Sequence, residues 1–299
     1  MKSLRTPNSR FEDLPDYNFS PNYCDIGDGL RLHYVDEGPR EGRTLILMHG
    51  EPSWCYLYRF MIRQLTAAGF RVLAPDLIGF GKSDKPTELS DYSYTSHVAW
   101  MQAWLDHVDV RDAVLFCQDW GGMIGLRLVA ENPNRFAAVL AANTGLPIGK
   151  GTPSEVFLKW QKFSQIVPVF PTGQILQGAT TRMLSAAEVA AYDAPYPDET
   201  YKAGARIFPA LVPTDPSMEG VAENIRAWEV LKNWEKPFLT GFSDQDPVTK
   251  GGEKIFQKLI PGAAGQPHAI VEGGGHFLQE DVHETLSEML IALCARLEA

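Results

Sequence analysis

The residues whose types and spacing could do chemistry are an aspartate at a tight turn, an Asp-x-Asp pair and a histidine behind three glycines. The aspartate lies in residues 113–132, AVLFCQDWGGMIGLRLVAEN. Residues 113–116 form an apolar run too short for a helix and bounded by polar residues, which reads as a buried strand. Met123, Ile124, Leu126, Leu128 and Val129 then recur at helical spacing until Asn132-Pro133 stops them. Asp119 sits between strand and helix with Gly121 and Gly122 behind it, the shape of a nucleophile elbow, where small neighbours let two backbones approach. Cys117 stands where the elbow pattern has its first glycine, a departure that is tolerable because Cys is small. A carboxylate at that position is ionised at neutral pH without help from a base, so it can attack as it stands. On this stretch alone two readings stay open, because Asp is also a frequent N-cap of a following helix.

Two further loops follow apolar strands, and loops at the carboxyl ends of strands are where open sheets bind ligands. One is Ser243-Asp244-Gln245-Asp246-Pro247-Val248 and the other is Gly273-Gly274-Gly275-His276-Phe277. Nucleophile, acid and histidine in that chain order resemble the order of the α/β-hydrolases. A lone histidine is usually structural, but His276 behind three glycines, directly after the last strand, is a poor core residue. His97, His107, His268 and His283 have no such context and read as solvated or local. In His49-Gly50-Glu51-Pro52, after the third strand, the amide of Glu51 is placed to join that of Trp120 as an oxyanion donor, with His49 bracing the loop.

The elements that must position these residues alternate. Residues 22–38 suit an antiparallel hairpin around Gly27-Asp28-Gly29. Strands at 44–48, 71–74, 113–116 and 138–142 alternate with helical patterns from Ser53 to Gly69, at 94–107, and after the elbow. From 146 to about 222 the alternation gives way to prolines, aromatics and short helical patterns, which reads as a helical insertion. It resumes with helices at 221–231, 252–259 and 285–297 and strands at 236–240 and 269–271. Continuously apolar strands between helices predict a mostly parallel sheet covered on both faces. The expected organisation is a core of residues 1–145 and 223–299 with a lid of residues 146–222.

Composition narrows the class. With 299 residues and 44% hydrophobic content the chain can bury a substantial core. A net charge of -10 without a basic stripe argues against nucleic acid and anionic membrane as partners. The four cysteines, Cys24, Cys55, Cys117 and Cys294, lie far apart with no Cys/His cluster, so neither a zinc site nor a disulfide framework is indicated. Free thiols, no apolar stretch at the N-terminus and no run of 18 apolar residues lead to a cytoplasmic expectation.

Beyond these patterns, HYVDEGP, HGEPSWCYLYR, APDLIGFGKSDKP, QDWGGMIGL, AYDAPYPDETYKAGARIFP and GGGHFLQED resemble the haloalkane dehalogenases over nearly the whole chain. The resemblance implies an α/β-hydrolase fold, a mostly parallel eight-stranded sheet flanked by helices with a helical cap inserted after the sixth strand. It implies a triad of Asp119, Asp246 and His276, with Asp246 favoured by the Asp-Pro-Val that follows the family pattern and Asp244 as the alternative. The place after the preceding strand, where other dehalogenases keep the acid, holds Asn143, which cannot serve as a carboxylate. The halide would lie between the indoles of Trp120 and, from the lid, Trp160, while Trp54, Trp100, Trp104, Trp228 and Trp234 read as packing. No cofactor or metal is expected; the expected partners are a small halogenated alkane, water and the released halide, acting on a monomer. Two other readings stand beside it. An epoxide hydrolase would use lid tyrosines, for which Tyr192, Tyr196 and Tyr201 are candidates, and a non-catalytic receptor would bind a ligand under the lid.

Overall fold

The computed structural model describes residues 1–298. The main sheet contains β1 (Asn22–Asp25), β2 (Arg31–Glu37), β3 (Thr44–Met48), β4 (Arg71–Pro75), β5 (Ala113–Gln118), β6 (Phe136–Ala142), β7 (Phe238–Ser243) and β8 (Ala269–Val271). Their spatial order is β8-β7-β6-β5-β3-β4-β2-β1. β1 and β2 pair antiparallel across the Gly-Asp-Gly turn and β2 runs antiparallel to β4, whereas the neighbours from β4 round to β8 are parallel. This is the expected mostly parallel, eight-stranded α/β-hydrolase sheet. β3 and β5 are buried at every position, which is why both read as unbroken apolar runs.

Helices α1 (Arg59–Ala67), α2 (Tyr94–Val108) and α3 (Trp120–Glu131) precede β6. Between β6 and β7 come α4 (Glu155–Ile166), α5 (Thr172–Gly178), α6 (Ala186–Asp193), α7 (Ala203–Leu211) and α8 (Val221–Leu231), and after β7 α9 (Glu253–Leu259), α10 (Leu278–Asp281) and α11 (His283–Leu297). α1 packs on α11, α3 packs on both α2 and α8, and within the insertion α5 packs on α6 and α4 on α7. α6 starts with a capping box in which Ser185 and Glu188 each take the other's backbone amide.

The departures from expectation are at element ends. The pattern beginning at Ser53 opens as a 3-10 turn, Cys55–Tyr58, and becomes α-helical only at Arg59. Its start is held instead by bonds to the loops around it, Cys55 N to Asp76 Oδ1 at 2.8 Å and Ser53 Oγ to Gly50 O at 2.8 Å. The strand expected at 236–240 begins at Phe238 and runs on to Ser243. Lys236 turns its ammonium onto the carbonyls of Pro133 and Phe136, so the chain enters the sheet two residues later. The strand then ends directly before Asp244 and Asp246. Among the described residues, all four cysteines are buried free thiols and no helix is long and apolar enough to cross a membrane.

Candidate active site

Asp119 follows β5 and precedes α3 with φ 51° and ψ -127°, a conformation that a non-glycine residue adopts only under constraint. The constraint comes from both sides. Its amide donates to Asn143 O at 3.0 Å and its carbonyl accepts from Thr144 Oγ1 at 2.6 Å. A side chain at Gly121 would put Cβ 2.1 Å from Met48 O, so the elbow and the end of β3 meet backbone to backbone, as the small residues behind Asp119 suggested. The Asp119 side chain does not cap α3. Its Oδ1 accepts instead from the Glu51 amide at 2.8 Å, which removes the N-cap reading.

His276 stands against both carboxylates. Its Nδ1 is 3.0 Å from Asp246 Oδ2 and its Nε2 is 3.4 Å from Asp119 Oδ2. Burial alone would lower the imidazole, but Asp246 and Asp119 outweigh it and carry His276 up to about 10. Burial likewise opposes ionisation of Asp246, whose side chain is 0% exposed. His276, Thr249 and the Val248 amide overcome that and hold Asp246 down to about 2. Asp244 lies elsewhere, accepting from the Gly273 amide at 2.9 Å. Of the two candidate acids the structure therefore brings Asp246 to the imidazole.

The backbone of the histidine turn is tied to the sheet. Asn143 Nδ2 donates to Gly275 O and His276 O, each at 3.0 Å, and Gln118 Nε2 donates to His276 O at 3.1 Å. Gln118 Nε2 is also 3.3 Å from His276 Nε2. Sequence reading passed over Gln118, because a glutamine beside the nucleophile carries no signal until the fold brings the distant turn above it. His49 braces its loop as expected, bonding Gly50 O through Nδ1 and accepting the Leu77 amide at Nε2.

Asp119, His276, Glu51, Trp120 and Trp160 share the wall of one cavity of about 1020 Å³. Trp120, the first residue of α3, is 2% exposed and wedged between Tyr94 and Phe208. Trp160 reaches the cavity from α4, stacked on Phe163. Trp228 also touches the cavity, which the packing assignment did not foresee, but its indole N–H is engaged by Leu146 O at 2.9 Å. Trp54 likewise donates to Ala191 O. The Glu51 carboxyl was missed as well. Burial and then the Asp119 charge push it well above the ordinary carboxylate range, with His276 and Trp160 pulling the other way. The cavity wall beside Asp119 therefore favours the neutral form of this acid, an effect of burial that an acidic letter in HGEP could not convey.

A family profile described as the alpha/beta hydrolase fold matches residues 43–281. A haloalkane dehalogenase of Psychrobacter cryohalolentis is 57% identical over 295 residues, 97% of each chain. One from Mycolicibacterium paratuberculosis is 49% identical over 296 residues, 98% of each. The chain belongs to the haloalkane dehalogenase family. A solved family structure, the tetrameric haloalkane dehalogenase DpaA from Paraglaciecola agarilytica NO2, superposes with TM-score 0.91 at 35% identity, covering 96% of this chain and 97% of that one.

In this family member the three tyrosines of the insertion stand away from the cavity wall. Tyr192 is fully buried and donates to the Glu280 carboxylate, and Tyr196 is 4% exposed. Among the described residues no tyrosine lines the cavity beside Asp119, where an epoxide hydrolase would be expected to present a phenol. One histidine assignment is corrected: His97 is neither solvated nor loosely placed but 0% exposed among Phe208, Trp100 and Tyr92, and burial pushes it down to about 3. His268 and His283 are local, the first bridging Thr240 to Ala263 and the second stacked on Phe60.

Proposed function

We propose that this dehalogenase hydrolyses small haloalkanes to a primary alcohol, halide and a proton through a covalent ester on Asp119. A carboxylate oxygen of Asp119 attacks the sp3 carbon in line while the carbon–halogen pair leaves with the halide. Trp120 and Trp160 receive the halide, since an indole N–H donates and has no lone pair to repel an anion. His276 then removes a proton from water, whose oxygen attacks the ester carbonyl. The tetrahedral intermediate collapses to free alcohol and the Asp119 carboxylate. The amides of Glu51 and Trp120 hold the oxyanion of that intermediate. Support for this comes from the Glu51 amide, which already sits on Asp119 Oδ1, and from Trp120 N, which opens α3 among amides without helical partners.

The observation that carries the proposal is the imidazole of His276 held between the Asp246 and Asp119 carboxylates. While Asp119 is charged, it helps keep His276 protonated. Esterification removes that charge and leaves the Asp246 charge in place, which lowers His276 toward its neutral, basic form when there is an ester to hydrolyse. We further assign residues 1–145 and 223–299 to the catalytic core and 146–222 to a lid that supplies Trp160. On this reading the enzyme works as a cytoplasmic monomer, the compartment in keeping with four buried free thiols.

The test is His276→Gln, which spares alkylation and blocks ester hydrolysis because only the second step needs a base. After addition of 1-bromobutane, intact-mass measurement is expected to show a stable butyl adduct, with peptide mapping placing it on Asp119. Halide turnover that persists without an adduct assigns the base to another residue.

A further inference from the structure

The turn that carries His276 is fastened to the inserted segment 179–182 as well as to the sheet. Asp281, at the end of α10, accepts the Gly275 amide on Oδ2 at 2.8 Å and the amides of Thr181 and Arg182 on Oδ1, each at 2.9 Å. Thr181 Oγ1 donates to Gly273 O at 2.6 Å and Phe277 N donates to Ala179 O at 3.3 Å. The two strips lie so close that a Cβ on Gly275 would be 2.5 Å from Ala179 O, which accounts for the glycine before the histidine.

Behind this contact lies a buried ionic cluster. Arg59 of α1 pairs with Glu280 at 2.5 Å and with Glu188 of α6 at 2.8 Å, and both acids also pair with Arg182. The Arg59 and Glu280 side chains are 0% exposed, so each charge depends on the others for compensation. Arg182 Nε adds a bond to Glu280 O at 2.8 Å. The cluster thereby anchors segment 179–182 on the residues that lead away from His276.

We infer that Asp281 is a positioning residue that couples the seating of the inserted helices to the placement of His276, so that ester hydrolysis depends on it and alkylation does not. The inference rests on the reading of His276 as the base of the second step. Alkylation needs the Asp119 carboxylate and the halide donors, none of which is bonded to Asp281. Hydrolysis needs the imidazole in place over water and ester, and its neighbouring amide is held by Asp281. A displacement of about 1 Å at such a group slows a step by up to about a hundredfold.

Asp281→Asn keeps the size of the side chain but leaves one carbonyl oxygen, so an NH2 group must face either the Gly275 amide or those of Thr181 and Arg182. In single-turnover experiments with 1-bromobutane, halide release is expected to stay within about twofold of the parent while decay of the butyl-enzyme slows by about tenfold or more. In the steady state kcat and KM then fall together, kcat/KM is unchanged, and the Asp119 adduct accumulates. Loss of alkylation equal to the loss of hydrolysis, or both steps intact, overturns the inference. If Asp281→Asn does not fold, Thr181→Val decides. It keeps both amides, removes the hydroxyl bond to Gly273 O, and is expected to slow butyl-enzyme decay alone by about threefold, the scale of one hydrogen bond; unchanged decay overturns the coupling. His276→Gln run in parallel separates the levels: an adduct there with normal decay in Asp281→Asn removes the coupling alone, and no adduct in His276→Gln removes the reading beneath it.

Discussion

Asp246→Asn exchanges one oxygen for an NH2 group in a side chain with no room to rearrange. Asp246 Oδ1 accepts the Val248 amide at 2.9 Å, and Oδ2 accepts the Thr249 amide at 3.2 Å, the Thr249 hydroxyl and His276 Nδ1 at 3.0 Å. If the asparagine oxygen stays on Val248, its NH2 points at His276 Nδ1. That nitrogen must then offer a lone pair, the imidazole proton moves to Nε2, and no base faces Asp119 or the water. If the amide flips, the NH2 meets the Val248 N–H, and a buried donor without an acceptor costs about 1–3 kcal/mol. A wrong histidine tautomer of this kind costs about 10⁴ in rate in serine proteases, equivalent to about 5 kcal/mol of transition-state stabilisation. The same order is expected here for decay of the butyl-enzyme, with the halide burst preserved because the acid serves only the second step.

Asp244→Asn is the internal control. Asp244 accepts the Gly273 amide, a bond that the asparagine carbonyl can replace, so turnover is expected to remain within about threefold, the scale of one modest hydrogen bond. Halide release at saturating 1-bromobutane and single-turnover decay measure both variants, with thermal melts to confirm folding. The pH profile gives an independent sign. The base acts when neutral, so hydrolysis is lost as pH falls through the pKa of His276 in the ester. That limb lies below about 10 in the parent, because part of the upward push comes from an Asp119 charge that the ester lacks. Removing the Asp246 charge moves it to lower pH still. A crippled Asp244→Asn with a mild Asp246→Asn, or an Asp246→Asn that loses burst and decay alike, refutes the assignment.

Bromide titration of the resting enzyme at constant ionic strength is expected to change tryptophan emission saturably. Trp160→Phe removes one donor to an anion, worth about 1.5–3 kcal/mol, and should weaken bromide binding and slow carbon–halogen cleavage by about tenfold to a hundredfold, while Trp234→Phe, away from the cavity wall, leaves both unchanged. Parent-like binding and cleavage in Trp160→Phe would place the lid donor elsewhere. The cavity of about 1020 Å³ far exceeds a two-carbon halide. From bromoethane to 1-bromohexane kcat/KM is expected to rise by about fourfold per carbon, the equivalent of about 0.8 kcal/mol per buried methylene, and a flat series would show that the added carbons stay in water.

The sheet was readable in the sequence because β3 and β5 are buried on both faces and so carry unbroken apolar runs. Element ends were less so: nothing in the letters says that Lys236 will bond Pro133 and Phe136 and delay β7 by two residues. Asp119 and His276 could be found from local grammar, a strained turn and a glycine-rich loop. Choosing Asp246 over Asp244 needed a pattern, since two aspartates two apart in a loop differ only in where the backbone aims them. His97 was misread because its apolar surroundings, Phe208, Trp100 and Tyr92, come from α7, α2 and the loop before it and converge only in three dimensions. Glu51 and Asp281 were unreadable for the same reason, one defined by burial and the other by two loops that meet across the insertion.

Environment sorts the acids of this site into distinct tasks. Asp246 is deep and thoroughly hydrogen-bonded, and those bonds together with His276 hold it toward its charged form, as the proposed orienting role requires. Glu51 is equally deep, and there burial and the Asp119 charge outweigh His276 and Trp160 and push its carboxyl toward the neutral form. Asp119 sits at the cavity, and its own charge is part of what keeps His276 protonated. On the proposed reading the Asp119 charge disfavours the neutral, basic form of His276 while Asp119 is a free carboxylate. In the proposed mechanism alkylation removes that charge while the Asp246 charge stays, which moves His276 toward its basic form when there is an ester to hydrolyse.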